Sequence, residues 1–135
     1  MIFSSNATVY VVEDSPVIRS RLIELIEATG ATVVGHADTA SVAIAEIAAL
    51  RPDVVTIDIA LKDGNGFDVL EAIAINDEDH PPLRIVVTNY ATDSYRDALK
   101  ELGADHVFDK AMQISEVLAV LESLMRNAQG GAVAA

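Results

Sequence analysis

Five short apolar segments alternate with five helical patterns along the chain, and this alternation limits the possible folds more than any other feature. The apolar segments, most of them rich in β-branched residues, are typical of buried strands and cover Thr8–Val12, Thr32–Ala37, Val54–Ile57, Leu83–Thr88 and 105–109. The helical patterns cover 16–30, 39–50, 67–75, 93–102 and 114–125. Such alternation predicts parallel strands joined by right-handed helical crossovers, with helices on both faces of the sheet.

We therefore predict an α/β fold, a flavodoxin-like doubly wound five-stranded parallel sheet of order 2-1-3-4-5. The domain is expected to cover 1–127, followed by a disordered tail over 128–135 that contains glycines and small residues. In the helices, apolar spacing predicts which residues face inward, and these are Ile18, Leu22, Leu25 and Ile26 in the first helix and Ile44, Ile47 and Ala48 in the second.

Charge and composition exclude several classes of function. The net charge is -12, which argues against binding nucleic acid or anionic membranes. No cysteine is present, so disulfides and zinc–thiolate sites are excluded. The first six residues lack the basic region of a signal peptide, and no apolar stretch is long enough to span a membrane. We expect a cytoplasmic protein.

Polar side chains stand where four of the five predicted strands end. Glu13 and Asp14 follow the first strand, Asp58 follows the third, Thr88 closes the fourth and Lys110 follows the fifth. In a parallel sheet of the predicted order the first and third strands are neighbours, and their carboxyl ends lie on one edge. We therefore expect three carboxylates, a hydroxyl and an ammonium group to meet there.

Such a cluster of carboxylates needs a positive charge to offset it. Two unit charges about 4 Å apart repel by roughly 4 kcal/mol at an effective dielectric near 20. Lys110 can supply one compensating charge, and a divalent cation that prefers oxygen ligands, Mg²⁺ or Mn²⁺, can supply the other. A carboxylate, a metal, an ammonium and a hydroxyl together form a phosphoryl-transfer site. Each residue taken alone has a simpler explanation, as a helix cap, a turn residue or a solvated side chain.

The chain resembles the receiver domain of a two-component response regulator, over about residues 8 to 126. Four ordered motifs carry the resemblance: the segment 10–16 with its pair of acids, Asp58 with Gly64 and Gly66, the segment 86–88, and the segment 103–110 that ends in Lys110. In length the chain is similar to the single-domain chemotaxis type.

The resemblance implies that Asp58 accepts a phosphoryl group from a histidine kinase or a histidine phosphotransfer protein, with Mg²⁺ required. Asp14, Asp58 and the backbone carbonyl of Ala60 would hold the metal, and Glu13 would act mainly through water. Lys110 and Thr88 would contact the phosphoryl group. Such a protein catalyses only its own phosphorylation and dephosphorylation, and its last two helices and fifth strand form the surface that reports the change.

Two positions depart from the family pattern. Ala111 follows Lys110 where the family usually has proline, and a cis bond before a residue other than proline costs about 2.5–4 kcal/mol, so we expect a trans bond. Val107 occupies the position where the family often has an aromatic switch residue. Coupling of Thr88 to an aromatic ring at that position is therefore not expected.

The sequence is also compatible with other functions on the same fold. A flavin or nucleotide binder would need glycines and backbone N–H groups after the first strand, where this chain has acids. An aspartate-nucleophile phosphatase commonly has a second Asp where this chain has Ala60. A phosphate sink and a docking module that is never phosphorylated are further alternatives. No output domain follows, so we expect a single-domain protein that acts through protein partners as a monomer or weak homodimer.

Overall fold

The computed structural model describes residues 7–76 and 79–134, with side chains as far as Arg126. Within these residues, strands and helices alternate throughout. The strands are β1 (Thr8–Val12), β2 (Thr32–Ala37), β3 (Val54–Ile57), β4 (Leu83–Thr88) and β5 (His106–Asp109). The helices are α1 (Pro16–Ala28), α2 (Ala40–Leu50), α3 (Gly66–Asn76), α4 (Asp93–Glu101) and α5 (Ile114–Ala134).

All five strands are parallel and lie in the order β2-β1-β3-β4-β5, so the predicted fold and strand order are confirmed. At the ends of the strands, Val12 is in register with Ile57, and Thr88 with Asp109. The residues that follow β1, β3, β4 and β5 therefore emerge at one edge of the sheet.

The sheet separates two apolar cores. Alternate strand residues point to opposite faces, so Val11 and Ile85 pack on one side while Tyr10 and Val86 pack on the other. Helices α1 and α5 cover the first side, with Leu22, Ile26, Val117 and Leu121 buried. Helices α2, α3 and α4 cover the second side, with Ala43, Ile47, Leu70, Ile73 and Leu99 buried. Strands buried on both faces explain the continuous apolar runs in the sequence.

Two predictions of inward-facing side chains are wrong. Ile18 is 39% exposed on α1, and Ala48 is exposed on α2, where Ala40 and Ala43 are buried instead. Helix α2 is apolar on almost every face, so its sequence carries little periodic information about which face packs on the sheet. Ile18 lies near the start of α1, beside the functional edge of the sheet, where it lines a groove described below.

Helix α5 runs to Ala134 and so extends past the predicted end of the domain at residue 127. The domain bounds and the disordered tail over 128–135 stay predictions. The first six residues lie outside the described part of the chain. Among the described helices, none has the length and apolar character needed to cross a membrane.

Candidate phosphoryl-transfer site

The three carboxylates lie together at the carboxyl edge of the sheet. Glu13 and Asp14 follow β1 directly, and Asp58 follows the neighbouring strand β3. The Asp58 amide donates to the carbonyl of Val12, which fixes the two strand ends side by side (3.0 Å). One carboxylate oxygen from each acid lies within 4.8 Å of the others. Glu13 and Asp58 are buried, whereas Asp14 is the most accessible of the three.

The Lys110 ammonium group lies between two of these acids. Its Nζ is 2.7 Å from Asp58 Oδ2 and 2.8 Å from Glu13 Oε1. The side chain of Lys110 is only 12% exposed, so both ion pairs are shielded from water. No cis peptide bond occurs in the described part of the chain, so the bond between Lys110 and Ala111 is trans, as expected. Lys110 reaches Asp58 without proline at the next position.

Burial and ion pairing act on the ionisation of this cluster in opposite directions. Burial is the largest influence on Glu13 and raises its pKa, although Lys110 and the Ser15 amide act to lower it. For Lys110, burial by itself lowers the pKa, but the hydrogen bonds to Asp58 and Glu13 outweigh it, so the pKa is raised. Lys110 therefore carries its charge throughout the physiological range.

Thr88 closes β4 and is completely buried. Its Oγ1 accepts a hydrogen bond from the Tyr90 amide (3.1 Å), and its carbonyl accepts one from the Lys110 amide (2.9 Å). The two residues expected to contact a phosphoryl group are thus joined to each other through the backbone.

The loop between β3 and α3 depends on two glycines. Gly64 has a φ of +74°, a conformation that residues with a Cβ rarely adopt. A Cβ on Gly66 would lie 2.5 Å from the Asp58 carbonyl oxygen, so only glycine allows the loop to close beneath Asp58. The Gly66 amide donates to Ile59 O (2.8 Å) in the closed loop. Ala60 lies in the same loop, exposed to solvent.

Two contacts that the sequence does not predict hold Glu13 in place. The Ser15 amide donates to Glu13 Oε2 (3.1 Å), and Arg19 Nη1 donates to the Glu13 carbonyl (2.9 Å). Arg19 is one turn into α1, and nothing in its sequence context distinguishes it from a solvated arginine. The acceptor is a backbone carbonyl, which every residue has.

A groove of about 480 Å³ opens beside Lys110, between α1 and the loop that leads into α5. Its walls are largely apolar, and Val17 and Ile18 at its entrance are exposed (79% and 39%). Arg21 and Glu13 are the other charged residues that line it.

The donor set fits a hard divalent cation. Carboxylate oxygens within 4.8 Å of one another are ligands that Mg²⁺ and Mn²⁺ accept, with water completing the coordination.

Comparison with known proteins identifies the family. The family model described as "Response regulator receiver domain" matches residues 9–122. This chain belongs to the response regulator receiver family. Such receiver domains act in two-component signalling, and the resemblance inferred from the four motifs is confirmed.

Curated relatives of this receiver domain are longer proteins. It is 33% identical over 122 residues to the "Probable transcriptional regulatory protein TcrX" of Mycobacterium tuberculosis, covering 89% of this chain and 50% of the relative. It is 36% identical over 87 residues to the "DNA-binding transcriptional activator DevR/DosR" of the same species, covering 63% of this chain and 39% of the relative. The chain thus spans half or less of these relatives' length.

Solved structures show the same fold. The response regulator domain of Thermotoga maritima CheB superposes with a TM-score of 0.73 at 27% identity, over 93% of this chain and 97% of the other. The receiver domain of the sensor histidine kinase PA1611 from Pseudomonas aeruginosa superposes with a TM-score of 0.75 at 20% identity, over 89% and 98%. That second structure has a magnesium ion coordinated in its active-site cleft.

Proposed function

We propose that this receiver domain is a phosphorylation-operated switch in which Asp58 accepts a phosphoryl group from a phosphohistidine of a histidine kinase or a histidine phosphotransfer protein. The observation that carries the proposal is the position of Lys110 Nζ, within 2.8 Å of both Asp58 and Glu13 in a buried cluster of acids. A buried ammonium held against two carboxylates is suited to stabilise charge that develops when a phosphoryl group joins one of them.

In the proposed reaction, a carboxylate oxygen of Asp58 attacks phosphorus and the bond between phosphorus and the donor imidazole nitrogen breaks. The electron pair of that bond stays on the imidazole, and an acyl phosphate forms on Asp58. Asp58 Oδ2 is engaged by Lys110, which leaves Oδ1 for the attack. Lys110 then contacts the phosphoryl oxygens, and the Thr88 hydroxyl donates to one of them once it approaches.

Asp14, Asp58 and the carbonyl of Ala60 would hold Mg²⁺, or Mn²⁺ in its place, and Glu13 would act through water. The metal would supply positive charge against the transferring group. The close approach of the three acids supports this assignment, as does the magnesium ion in the receiver domain of PA1611. The chain catalyses only its own phosphorylation and dephosphorylation.

The groove between α1 and the loop before α5 is the proposed contact surface for the phosphodonor. Asp58 is only 5% exposed, and its ion-pair partner Lys110 lines the groove, so a donor histidine seated in the groove would approach Asp58 beside Lys110. Exposed apolar residues at its entrance, Val17 and Ile18, give a protein donor surface to bury (79% and 39% exposed).

The output is proposed to pass through the face formed by α4, β5 and α5 to a protein partner in the cytoplasm. A receiver domain that acts as a phosphate sink would accept the phosphoryl group in the same way but would have no such output partner. The matched relatives contain further sequence, so a single-domain protein, as a monomer or weak homodimer, stays a prediction.

Labelling by a small phosphodonor tests the proposal. With acetyl phosphate and Mg²⁺, intact mass should show one added phosphoryl group on the wild type and none on Asp58→Asn. Asp63→Asn, an exposed acid in the same loop, is the matched control and should be labelled like the wild type. An unlabelled wild type, or equal labelling of Asp58→Asn, would contradict the proposal. Sustained hydrolysis of the donor at many turnovers would favour a phosphatase instead.

The groove is tested separately with a protein donor. Val17→Asp should slow transfer from a phosphorylated histidine phosphotransfer protein while labelling by acetyl phosphate is unchanged. Ile75→Asp on α3 is the control, since Ile75 is equally apolar and exposed (70%) but lies away from the groove. Equal transfer to wild type and Val17→Asp would remove the groove from the proposal.

A further inference from the structure

Arg96 on α4 connects three separate segments through one guanidinium group. Its Nε donates to the carbonyl of Ala91 in the loop after β4 (3.1 Å). Its Nη1 donates to the carbonyl of Val107 in β5. Its Nη2 donates to the side-chain oxygen of Gln113, just before α5 (3.0 Å).

The Gln113 oxygen serves two donors at once. Besides Arg96 it accepts the Asp109 amide (2.8 Å), and Asp109 is the residue directly before Lys110. Asp109 Oδ1 in turn accepts the amides of Ala111 and Met112 (2.9 and 3.0 Å). The turn that presents Lys110 to the carboxylates is therefore held on both sides, and Arg96 is attached to it through Gln113.

The acceptors of Arg96 flank the two residues that would contact a phosphoryl group. Ala91 is three residues after Thr88, and Val107 is three residues before Lys110. The carbonyl of Thr88 is itself bonded to the Lys110 amide. A change in the position of Thr88 or of the Lys110 backbone would therefore act on oxygens that Arg96 holds.

The partners of Arg96 are neutral oxygens. Among residues 7–76 and 79–126, no carboxylate forms a salt bridge with it. Charge neutralisation therefore does not explain its position. The rigid fork of an arginine can hold three oxygens in fixed directions, which a lysine cannot do. A group used in this way sets geometry.

We propose that Arg96 is the positioning residue that couples the state of the Asp58 site to the placement of α4 against β5 and α5. The proposal rests on the proposed phosphorylation of Asp58. At position 107 of β5 this chain has valine and no aromatic ring. Arg96 would instead provide a polar connection between the site and the proposed output face. Changes at Thr88 and Lys110 reach α4 through the Arg96 contacts to Ala91, Val107 and Gln113.

Backbone amide shifts on adding Mg²⁺ and beryllofluoride, a stable phosphoryl mimic, test the coupling. In the wild type we expect shifts around Asp58 and Lys110 and also along α4 and the first turns of α5. In Arg96→Met the shifts around Asp58 should persist, and those of α4 should fall roughly twofold or more, since the coupling contacts are lost. Arg96→Lys, which keeps the charge without the fork, should fall between the two.

Lys100→Met is the matched control, because it removes one positive charge from the exposed face of the same helix. It should behave as the wild type does. Gln113→Met is a second variant that removes the shared oxygen while Arg96 is kept, and it should also reduce the α4 shifts if Arg96→Met does not fold.

Wild-type α4 shifts in a folded Arg96→Met, or in Gln113→Met where Arg96→Met does not fold, would overturn the coupling role. An equal loss of α4 shifts in Lys100→Met would overturn it too. These outcomes leave the phosphorylation proposal intact, provided that acetyl phosphate labels the wild type. If the wild type is neither labelled nor shifted by beryllofluoride, both proposals fail.

Discussion

Replacing Lys110 with methionine removes the ammonium group from between Glu13 and Asp58 while leaving a side chain of similar length. In the wild type the Nζ lies 2.8 and 2.7 Å from the two carboxylates, which are 2% and 5% exposed. The variant leaves both acids buried, close together and without this partner. We expect a large loss of stability when no divalent cation is present.

The size of the expected stability loss follows from the repulsion between the two acids and from the cost of breaking a buried ion pair. Two charges 4.8 Å apart, the upper limit for this cluster, repel by roughly 3.5 kcal/mol at an effective dielectric near 20. Removing one partner of a buried ion pair costs about 3–5 kcal/mol in measured cases. We therefore expect the free energy of unfolding to fall by about 3–4 kcal/mol, a large part of the roughly 5–15 kcal/mol that holds a domain folded.

Urea unfolding followed by circular dichroism, with and without Mg²⁺, measures the loss. Because Mg²⁺ replaces the missing positive charge, it should stabilise Lys110→Met more than the wild type. Lys62→Met is the control, since it removes an exposed positive charge from the loop after Asp58 and should change stability by less than about 0.5 kcal/mol.

The loss should also depend on pH. Because burial raises the pKa of Glu13, the folded state holds that proton to higher pH than the unfolded chain does. The stabilisation from protonated Glu13 is therefore complete below the ordinary glutamate pKa of 4.5. This stabilisation is lost as the pH rises through the pKa of Glu13 in the folded state. The deficit of Lys110→Met should be smallest in acid and grow as Glu13 ionises. A deficit below about 1 kcal/mol near pH 7 without Mg²⁺ would refute this account of the cluster.

Three further substitutions test the packing around the site. Gly66→Ala should lower stability by about 1–3 kcal/mol and slow the labelling of Asp58, because the added Cβ meets the Asp58 carbonyl oxygen at 2.5 Å. Thr56→Val should raise stability by about 1 kcal/mol in urea unfolding, because the buried Thr56 hydroxyl has no hydrogen-bond partner among the described residues. Tyr10→Phe should cost about 1 kcal/mol near pH 7, since it removes the hydrogen bond to Glu46 (2.5 Å), and the cost should shrink above about pH 10.

The alkaline behaviour of Tyr10 has a definite sign. Burial is the main reason that its pKa is raised, and the contact with Glu46 adds to it. As the pH rises, the unfolded chain therefore loses the Tyr10 proton before the folded protein does. The wild type loses stability above the ordinary tyrosine pKa of 10.0 for this reason. Tyr10→Phe has no such proton and keeps its stability in this range. Tyr90→Phe, with an exposed ring, is the control. A cost of Tyr10→Phe that is constant with pH would contradict the assignment.

Local patterns in the sequence determined most of the fold. Four of the five strands begin and end where the apolar runs predict, and β5 begins one residue later, at His106. The strand order follows from the alternation of strands and helices, because right-handed crossovers leave few ways to arrange five such units. Acids at two strand ends, with a lysine at a third, were enough to predict a shared edge, since parallel strands all end on the same side.

Side-chain contacts between distant segments were decided only by the tertiary structure. Arg96 binds backbone carbonyls and an amide oxygen, Arg19 binds the carbonyl of Glu13, and such acceptors leave no trace in the sequence. The same holds for the pair formed by Tyr10 and Glu46, which are 36 residues apart. A sequence records which groups are available and how they repeat along one element. Which of them meet depends on the positions of elements far apart in the chain, and that is set when the sheet and its helices pack.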